Sequence, residues 1–414
     1  MGKLYNLARV TTTTVGTGTV TLGPAVASFL TFALAGVLDG DIVSYSIREG
    51  SNAEIGLGLY TASGPTLTRT VTKSTNANAP INLSGAAQVA ITPRAEDLVP
   101  LAVPQARVTL TTGVAVTVAD VAGVTNIFLT VANGYLIPIY DTVSYSMYPL
   151  TADLTLALDN NAAHTNYHQS GKNFDLFCIN DSNTLRLGTG PSWDAGAVAG
   201  SAILRGTGAG STDIQLKNGI WTNTNSILIR FGSASGNTVT IPANCATYIG
   251  SFRATADGQA SDTVLKRLLF NAWQIAPRAG KLEETSVNWP YSAAAFQQVN
   301  ASAGNQIEVL FGLPGVLLDV DAFNVVQNST ATARTVVSGI GIDSSTINSG
   351  RSQLVQCVNT PITTSESTYR GYPGLGWHEI RWLERGNGTD TQTWYGNNAG
   401  AAVHRSGMQL EFWG

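Results

Sequence analysis

Charged residues are scarce in this sequence, and their scarcity excludes several classes of protein. They form 12% of the 414 residues, against roughly 25% in an average soluble protein. The 23 Lys and Arg residues and 27 Asp and Glu residues give a net charge of −4. Because no basic cluster could neutralise a row of phosphates, we expect no nucleic-acid partner. Hydrophobic residues reach 43%, which is not the composition of a disordered chain.

Cysteine is also rare, and its spacing indicates no site. Cys178, Cys245 and Cys357 lie far apart without a CxxC motif, so neither a disulfide framework nor a zinc site is indicated. A GxSxG elbow, a P-loop and a Cys/His pair are likewise absent. Since no nucleophile can be named, we predict a non-enzymatic protein without a cofactor.

Long apolar runs are missing as well. The first ten residues, MGKLYNLARV, lack the apolar core of a signal peptide, and no run of roughly 18 apolar residues occurs. We therefore expect synthesis in a cytoplasm and no membrane insertion.

The shortage of charge has a consequence for assembly. Monomeric β proteins usually protect their sheet edges with Lys and other charged residues. In this sequence few such residues are available, and burial of the edges in a symmetric oligomer would replace them. We therefore predict a homo-oligomer.

What the sequence does contain is a succession of short β patterns separated by glycine-bearing turns. They predict an all-β fold of several small antiparallel modules in series, of sandwich or jelly-roll type. We predict four parts: residues 1–95 as an N-terminal β module, 105–256 as a central β-sandwich, 257–277 as a joint, and 278–414 as a Trp-rich C-terminal β domain.

Three segments give more specific expectations. In the joint, Val264–Trp273 fits both a helical stripe and a strand, and the choice stays open. The Gly/Ala/Ser-rich stretch 188–213 is expected to project as a surface loop. In the last segment, 407–413, Met408, Leu410 and Phe412 share one face and Gln409, Glu411 and Trp413 the other, which predicts a built-in strand.

Two residue pairs have spacings that suggest chemistry. His164 and His168 have the i, i+4 spacing of metal ligands on a helix, but the glutamate of HExxH is missing and the segment is polar. Asp319 and Asp321 would lie ~6.5 Å apart on one strand face, near the carboxyl spacing of inverting glycosidases. The alternative for the aspartates is a solvated strand face, and we predict no metal and no catalytic residue.

Aromatic residues concentrate in the C-terminal part. Five of the eight tryptophans follow residue 280, and flat aromatic faces beside polar donors can hold a sugar ring or anchor an interface. The alternative is that these rings fill the core and subunit contacts. The candidate glycan-binding residues are Trp289, Trp377, Trp382, Trp394 and Tyr395.

Several of these segments resemble a known group of proteins. VTTTTVGTGTVTLGPAV, DGDIVSYSIREG, EIGLGLYTASGPTLTRTV and INLSGAAQVAITPRAEDL, in that order, are similar to the N-terminal module of minor virion proteins of tailed bacteriophages, prophages and gene transfer agents. TYIGSFRATADGQASDTVLKRLLFNAWQ and YRGYPGLGWHEIRWLE resemble the spike or fibre half of the same group. No catalytic motif is among them.

The resemblance implies a virion protein of the head-spike or tail-fibre type. Its members are typically homotrimers that mount on the particle through the N-terminal part and direct the C-terminal part outward. The expected partners are copies of itself, other virion proteins of capsid, collar or tail, and host-surface polysaccharide. A purely architectural collar, connector or capsid-decoration protein is the first alternative, and a glycan-degrading tailspike is the second. Head or tail location, the host and the receptor are left open.

Overall fold

The structure, a computed structural model, describes residues 2–98, 103–142 and 145–414 and has an all-β fold, as predicted. Within these ranges the helical segments are the single turn Ala95–Leu98 and the 3-10 turns Val299–Ala301 and Asn398–Gly400. The chain divides into two compact units. Unit 1 is Met1–Val103 with Tyr140–Met147, and unit 2 is Pro104–Ile139 with Tyr148–Gly414.

Unit 1 is a small antiparallel sheet around its own core. Its strands are β1 Arg9–Thr12, β2 Val15–Gly16, β3 Val20–Thr21, β4 Ile42–Glu49, β5 Asn52–Thr61, β6 Thr66–Leu67, β7 Thr70–Ser74, β8 Leu83–Ser84 and β9 Ala87–Ile91. The main sheet has the order β1-β9-β4-β5-β6-β3. Alternate residues of its strands, among them Val10, Val43 and Val89, are fully buried, as expected where one face of a sheet covers a core.

The stretch 66–74 of unit 1 forms two short strands, β6 and β7. β6 and β7 are interrupted at Arg69, whose guanidinium donates to both carboxylate oxygens of the buried Glu54. The inward turn of Arg69 satisfies a buried carboxylate, and an unpaired buried charge is costly.

The remaining strands follow in unit 2, apart from the tip of the β13-β14 hairpin, which belongs to unit 1. They are β10 Ala106–Thr109, β11 Val121–Val124, β12 Asn126–Val131, β13 Leu136–Tyr140, β14 Tyr145–Pro149, β15 Leu154–Ala157, β16 Asn173–Asp181, β17 Thr184–Ser192, β18 Ile214–Lys217, β19 Ile220–Asn223, β20 Ile227–Arg230, β21 Thr238–Ile241, β22 Thr247–Ala256, β23 Gln259–Thr263, β24 Lys266–Arg267, β25 Leu269–Asn271, β26 Pro277–Glu283, β27 Asn288–Tyr291, β28 Gln297–Gln298, β29 Gln306–Phe311, β30 Leu318–Asn328, β31 Arg334–Ile342, β32 Arg351–Ser352, β33 Leu354–Cys357, β34 Thr363–Gly371, β35 Gly376–Arg385, β36 Gln392–Tyr395 and β37 Gly407–Trp413.

Two large hydrophobic clusters lie in unit 2. One draws on residues between Ala106 and Leu269, and the other on residues between Leu282 and Phe412. The joint adopts the strand interpretation: β22 turns at Gly258, which has a positive φ of 67°, into β23, and the short strands β24 and β25 follow. The predicted boundaries at 105, 256 and 277 remain predictions.

The second cluster is the core of a β-sandwich. One layer has the strand order β26-β37-β30-β34, and the other contains β29, β35, β31 and β33. Phe412 of the first layer meets Phe311 of the second edge to face, with ring centroids 5.1 Å apart. The last strand, β37, lies between β26 and β30 with its predicted faces: Met408, Leu410 and Phe412 are buried and the alternate residues are exposed.

The expectation that 188–213 projects from the surface holds only for the middle of the segment, where most residues of 197–210 are exposed. Residues 188–192 belong to β17, and Trp193, Arg205 and Thr212 are buried. Arg205 and Thr212 both donate to the buried carboxylate of Asp175 on β16. This ion pair holds the loop against the sheet, because a buried carboxylate must be paired.

Candidate functional site

A groove on the outer face of the C-terminal sandwich is the candidate site. It has a volume of about 560 Å³ and lies across β26, β37, β30 and β34. This volume is within the range of small-molecule sites. The polar and aromatic side chains that line it are Lys281, Asp319, Asp321, Arg370, Gln409, Glu411 and Trp413.

The side chains of the groove point outward because their neighbours in sequence point inward. On β30, Leu318, Val320 and Ala322 are buried, so Asp319 and Asp321 between them are exposed. The same alternation exposes Lys281 on β26 and Gln409, Glu411 and Trp413 on β37. The core pattern of the sandwich therefore determines which side chains line the groove.

The pairing of the four strands arranges these residues in transverse rows. One row is Ala279, Glu411, Asp319 and Arg370, and the next is Lys281, Gln409, Asp321 and Thr368. Pro277 opposite Trp413 marks the apolar end. The groove thus passes from an aromatic surface to a band of carboxylate, amide and cationic groups.

The groove contains three carboxylates, and only Asp319 has a cation nearby among the ion pairs of the described residues. Lys281 is paired with Glu283 at 2.6 Å, and Arg370 lies 3.9 Å from Asp319. Among the ion pairs of the described residues, neither Asp321 nor Glu411 takes part. Glu411 instead lies directly opposite Asp319 in the ladder, and like charges in that position repel. The groove therefore has an excess of acceptors over donors.

Trp413 supplies the aromatic surface. Its side chain is 54% exposed, whereas the neighbouring Phe412 is buried in the core. An exposed indole beside hydroxyl-binding groups can pack on an apolar ligand face. In the sequence, Trp413 shares a strand face with the polar residues Gln409 and Glu411, which indicated that its ring points outward. Trp413 was nevertheless not among the candidate glycan-binding residues.

The five predicted glycan-binding aromatic residues do not line the groove. Trp289, Trp382 and Trp394 are buried in the sandwich core. Trp377 is half-buried under the Arg253 guanidinium, 4.2 Å from its ring centroid. Tyr395, also half-buried, donates to Gln327 at 2.7 Å. The core-filling alternative describes the three buried rings, since stacking on a sugar requires an accessible ring face.

The buried ring of Trp289 belongs to a polar cluster around Glu384. The Glu384 carboxylate accepts bonds from Trp289 Nε1 at 2.7 Å, Gln297 Nε2 at 2.8 Å and the Asn300 main-chain N–H at 3.0 Å. Burial raises the pKa of Glu384 to about 7, although the three donors act in the opposite direction. The charged form of this carboxyl group is therefore disfavoured inside the sandwich.

We expect the contribution of Glu384 to the stability of the protein to fall as the pH rises from 5 to 8. The folded-state pKa of Glu384, about 7, exceeds the ordinary value of 4.5. The stability gained from protonation is therefore full below pH 4.5, decreases as the pH rises above that value and is lost once the pH has passed 7. The loss attributable to Glu384 is on the order of 3 kcal/mol. Urea unfolding at both pH values should show it as the difference between the parent chain and Glu384→Gln, which cannot titrate.

The matched control is Glu366→Gln, on the exposed face of β34. This variant should retain the parent pH dependence. Equal slopes in the parent and Glu384→Gln would show that folding does not raise the pKa of Glu384.

The two histidines with metal-ligand spacing are held by protein groups. His168 Nδ1 accepts the Asp159 main-chain N–H at 2.8 Å, and its Nε2 lies 2.9 Å from the Thr189 hydroxyl. Burial lowers the pKa of His168 to about 3. His164 Nδ1 lies 2.8 Å from the Asp159 carboxylate. Both imidazoles thus form part of a structural hydrogen-bond network.

In the described part of the chain, no group of three or more His, Cys, Asp or Glu side chains is arranged to hold a metal ion. Nor does any helix in that part have the length and apolar character needed to cross a bilayer.

Comparison with known proteins identifies no family. No family model and no curated protein matches the sequence. Among solved structures, the chain is similar to a Bacillus thuringiensis Cry1Da tryptic core variant (9% identity, TM-score 0.16) and to BpGH86A, a β-porphyranase from Bacteroides plebeius (9%, 0.18). Each alignment covers 69% of this chain, and the chain spans 47% and 45% of those two proteins.

A third likeness is to infectious bursal disease virus, strain Gx, at 8% identity and a TM-score of 0.18. It covers 100% of this chain and 77% of the viral one. TM-scores this low carry no argument about what the chain does.

Proposed function

We propose that the chain is a non-enzymatic virion spike or fibre protein. In this proposal residues 1–95 attach it to the particle, and the C-terminal domain, residues 278–414, is exposed and binds a host-surface glycan through the groove beside Trp413. The groove is the observation that carries the attachment role, because it combines an exposed indole with hydroxyl-binding side chains on the outer face of a rigid sandwich.

The sequence resemblance supports the virion part of the proposal. Segments similar to phage and gene-transfer-agent virion proteins occur both before residue 98 and between residues 247 and 384. The resemblance to a single group of virion proteins thus extends over both halves of the chain. Its copies act as a homotrimer that contacts capsid, collar or tail proteins.

The surface of unit 1 suits attachment to other proteins. Its large exposed aliphatic side chains include Leu7, Leu34 and Leu38, which are 60%, 73% and 67% exposed. Exposed leucines are common on monomers when scattered, but a charge-poor module with several of them favours burial in an assembly.

Immunolabelling of particles tests the proposed location. An antibody raised against residues 290–414 is applied to intact particles that carry this chain and located by electron microscopy. Label at the distal tail would support a fibre, and label at the head or collar a head spike or decoration protein. Unlabelled particles, with an antibody that binds the free native protein, would contradict exposure of the C-terminal domain.

A second assay separates binding from degradation. Host envelope polysaccharide incubated with the purified protein should release no new reducing ends. Release that Asp319→Asn abolishes would overturn the non-enzymatic assignment in favour of a glycan-degrading tailspike.

A further inference from the structure

We infer that the groove beside Trp413 selects an uncharged glycan and rejects acidic polysaccharide. This inference rests on the proposed function, because it specifies the ligand class of the same site. It depends on the charge and order of the groove side chains and on their spacing along the strands.

The apolar end of the groove suits one face of a sugar ring. Trp413, which is 54% exposed, and Leu317 line that end, and Pro277 lies opposite Trp413 in the neighbouring strand. A pyranose has an apolar face of C–H groups that packs on an indole, and an aromatic contact of this kind contributes about 0.5–1.5 kcal/mol. Trp413 would therefore fix one ring of the ligand.

The two polar rows suit hydroxyl groups. Asp319, Asp321 and Glu411 accept hydrogen bonds, and the Gln409 amide both donates and accepts. A sugar hydroxyl is both donor and acceptor, so it can donate a hydrogen bond to a carboxylate and accept one from a neighbouring cationic side chain. Rows two residues apart are ~6.8 Å from each other, and the apolar end with the two polar rows spans ~14 Å. The groove thus accommodates a short run of sugar rings.

The charge balance decides against an acidic ligand. The cations of the groove are already offset: Lys281 by Glu283 at 2.6 Å and Arg370 by Asp319 at 3.9 Å. A uronate or sulfate entering the groove would face Asp321 and Glu411, which have no cationic partner among the described ion pairs. Like charges brought together at an interface cost several kcal/mol, whereas an uncharged sugar meets no such penalty.

The experiment uses the full-length native protein and polysaccharide extracted from the host envelope. Anion-exchange chromatography separates this material into an unretained, uncharged fraction and a retained, acidic fraction. Binding of each is measured by biolayer interferometry. The parent chain should bind the uncharged fraction, and Trp413→Ala should weaken that binding by about 3- to 10-fold. Tyr372→Ala is the matched control: Tyr372 is 66% exposed in the same domain and does not line the groove.

A charge reversal provides a gain-of-function test that does not depend on removing a ring. Glu411→Lys replaces the repulsion with Asp319 by an attraction, so folding should be preserved. We expect this variant to bind the acidic fraction at least 10-fold more tightly than the parent does.

The outcomes distinguish this inference from the proposed function. Binding of the acidic fraction by the parent, weakened by Trp413→Ala, would overturn the charge selection and leave the attachment role intact. Binding that Trp413→Ala and Glu411→Lys both leave unchanged would place the ligand outside the groove and overturn the inference. Binding of neither fraction would overturn the inference and the receptor role together, while particle labelling independently tests the virion role.

Discussion

Deletion of Gly407–Gly414 is expected to give insoluble protein. The deleted segment contains β37, which pairs with β26 on one side and β30 on the other. Its loss removes Met408, Leu410 and Phe412 from the core. Substituting one such side chain by Ala costs about 2–5 kcal/mol, so losing all three, with two ladders of hydrogen bonds, removes at least as much as the about 5–15 kcal/mol of stability that is typical of a whole domain.

Contacts beyond the strand add to the effect. The Arg107 guanidinium donates to the main-chain oxygen of Gly414 at 2.6 Å, and the main chains of Gly414 and Ala276 bond to each other in both directions. The measurement is the soluble fraction after expression and its size-exclusion profile. A chain carrying Gln409→Ser and Glu411→Gln, which alters only exposed positions of β37, should remain soluble. A truncated chain that is soluble and assembles like the parent would refute the prediction.

The second large effect is expected at the buried Asp175. Its carboxylate accepts five hydrogen bonds, from Arg205 Nε and Nη2, Trp193 Nε1, Thr212 Oγ1 and Ser251 Oγ, at 2.6–3.0 Å. Although burial opposes the charge of Arg205, the attraction of Asp175 raises the net pKa of the guanidinium. Asp175→Asn leaves that cation without its counter-charge, and we expect a loss of about 3–5 kcal/mol in the free energy of unfolding.

Urea unfolding at pH 7 measures this loss, with Asp319→Asn on the exposed face of β30 as the control expected within about 0.5 kcal/mol of the parent. The double variant Asp175→Asn/Arg205→Met should be more stable than Asp175→Asn alone, because it also removes the unpaired cation. A loss below 1 kcal/mol for Asp175→Asn would show that the ion pair does not hold the 193–212 loop in place.

The strand content and the faces of the last strand could be predicted because both depend on local periodicity. In β37 the alternation of Met408, Leu410 and Phe412 with polar residues identifies the inward face without any knowledge of partners. The joint was ambiguous for the same reason, since Val264–Trp273 fits two periods. The structure places strands there, and β24 pairs with β29, about 40 residues further along the chain.

The groove and the Asp175 cluster could not be predicted, because both depend on register between distant segments. Arg205 lies 30 residues from Asp175 in a glycine-rich stretch without periodicity. The row of Glu411, Asp319 and Arg370 requires the order of three strands that are not consecutive in sequence. The sequence could have shown that Trp377 and Trp382 do not share one binding surface. They are an odd number of residues apart on β35, so their side chains point to opposite faces of the sheet.

The alternation along β30 and β37 separates the groove face from the core within the same strands. Each groove position has buried residues as its immediate neighbours in sequence, and its own side chain contributes nothing to the packed interior. Substitutions at Asp321, Gln409 and Glu411 can therefore be combined without repacking the sandwich, because all three side chains lie on its exposed face. Under the proposed function, a library randomised at these positions would sample new sugar specificities on an unchanged scaffold.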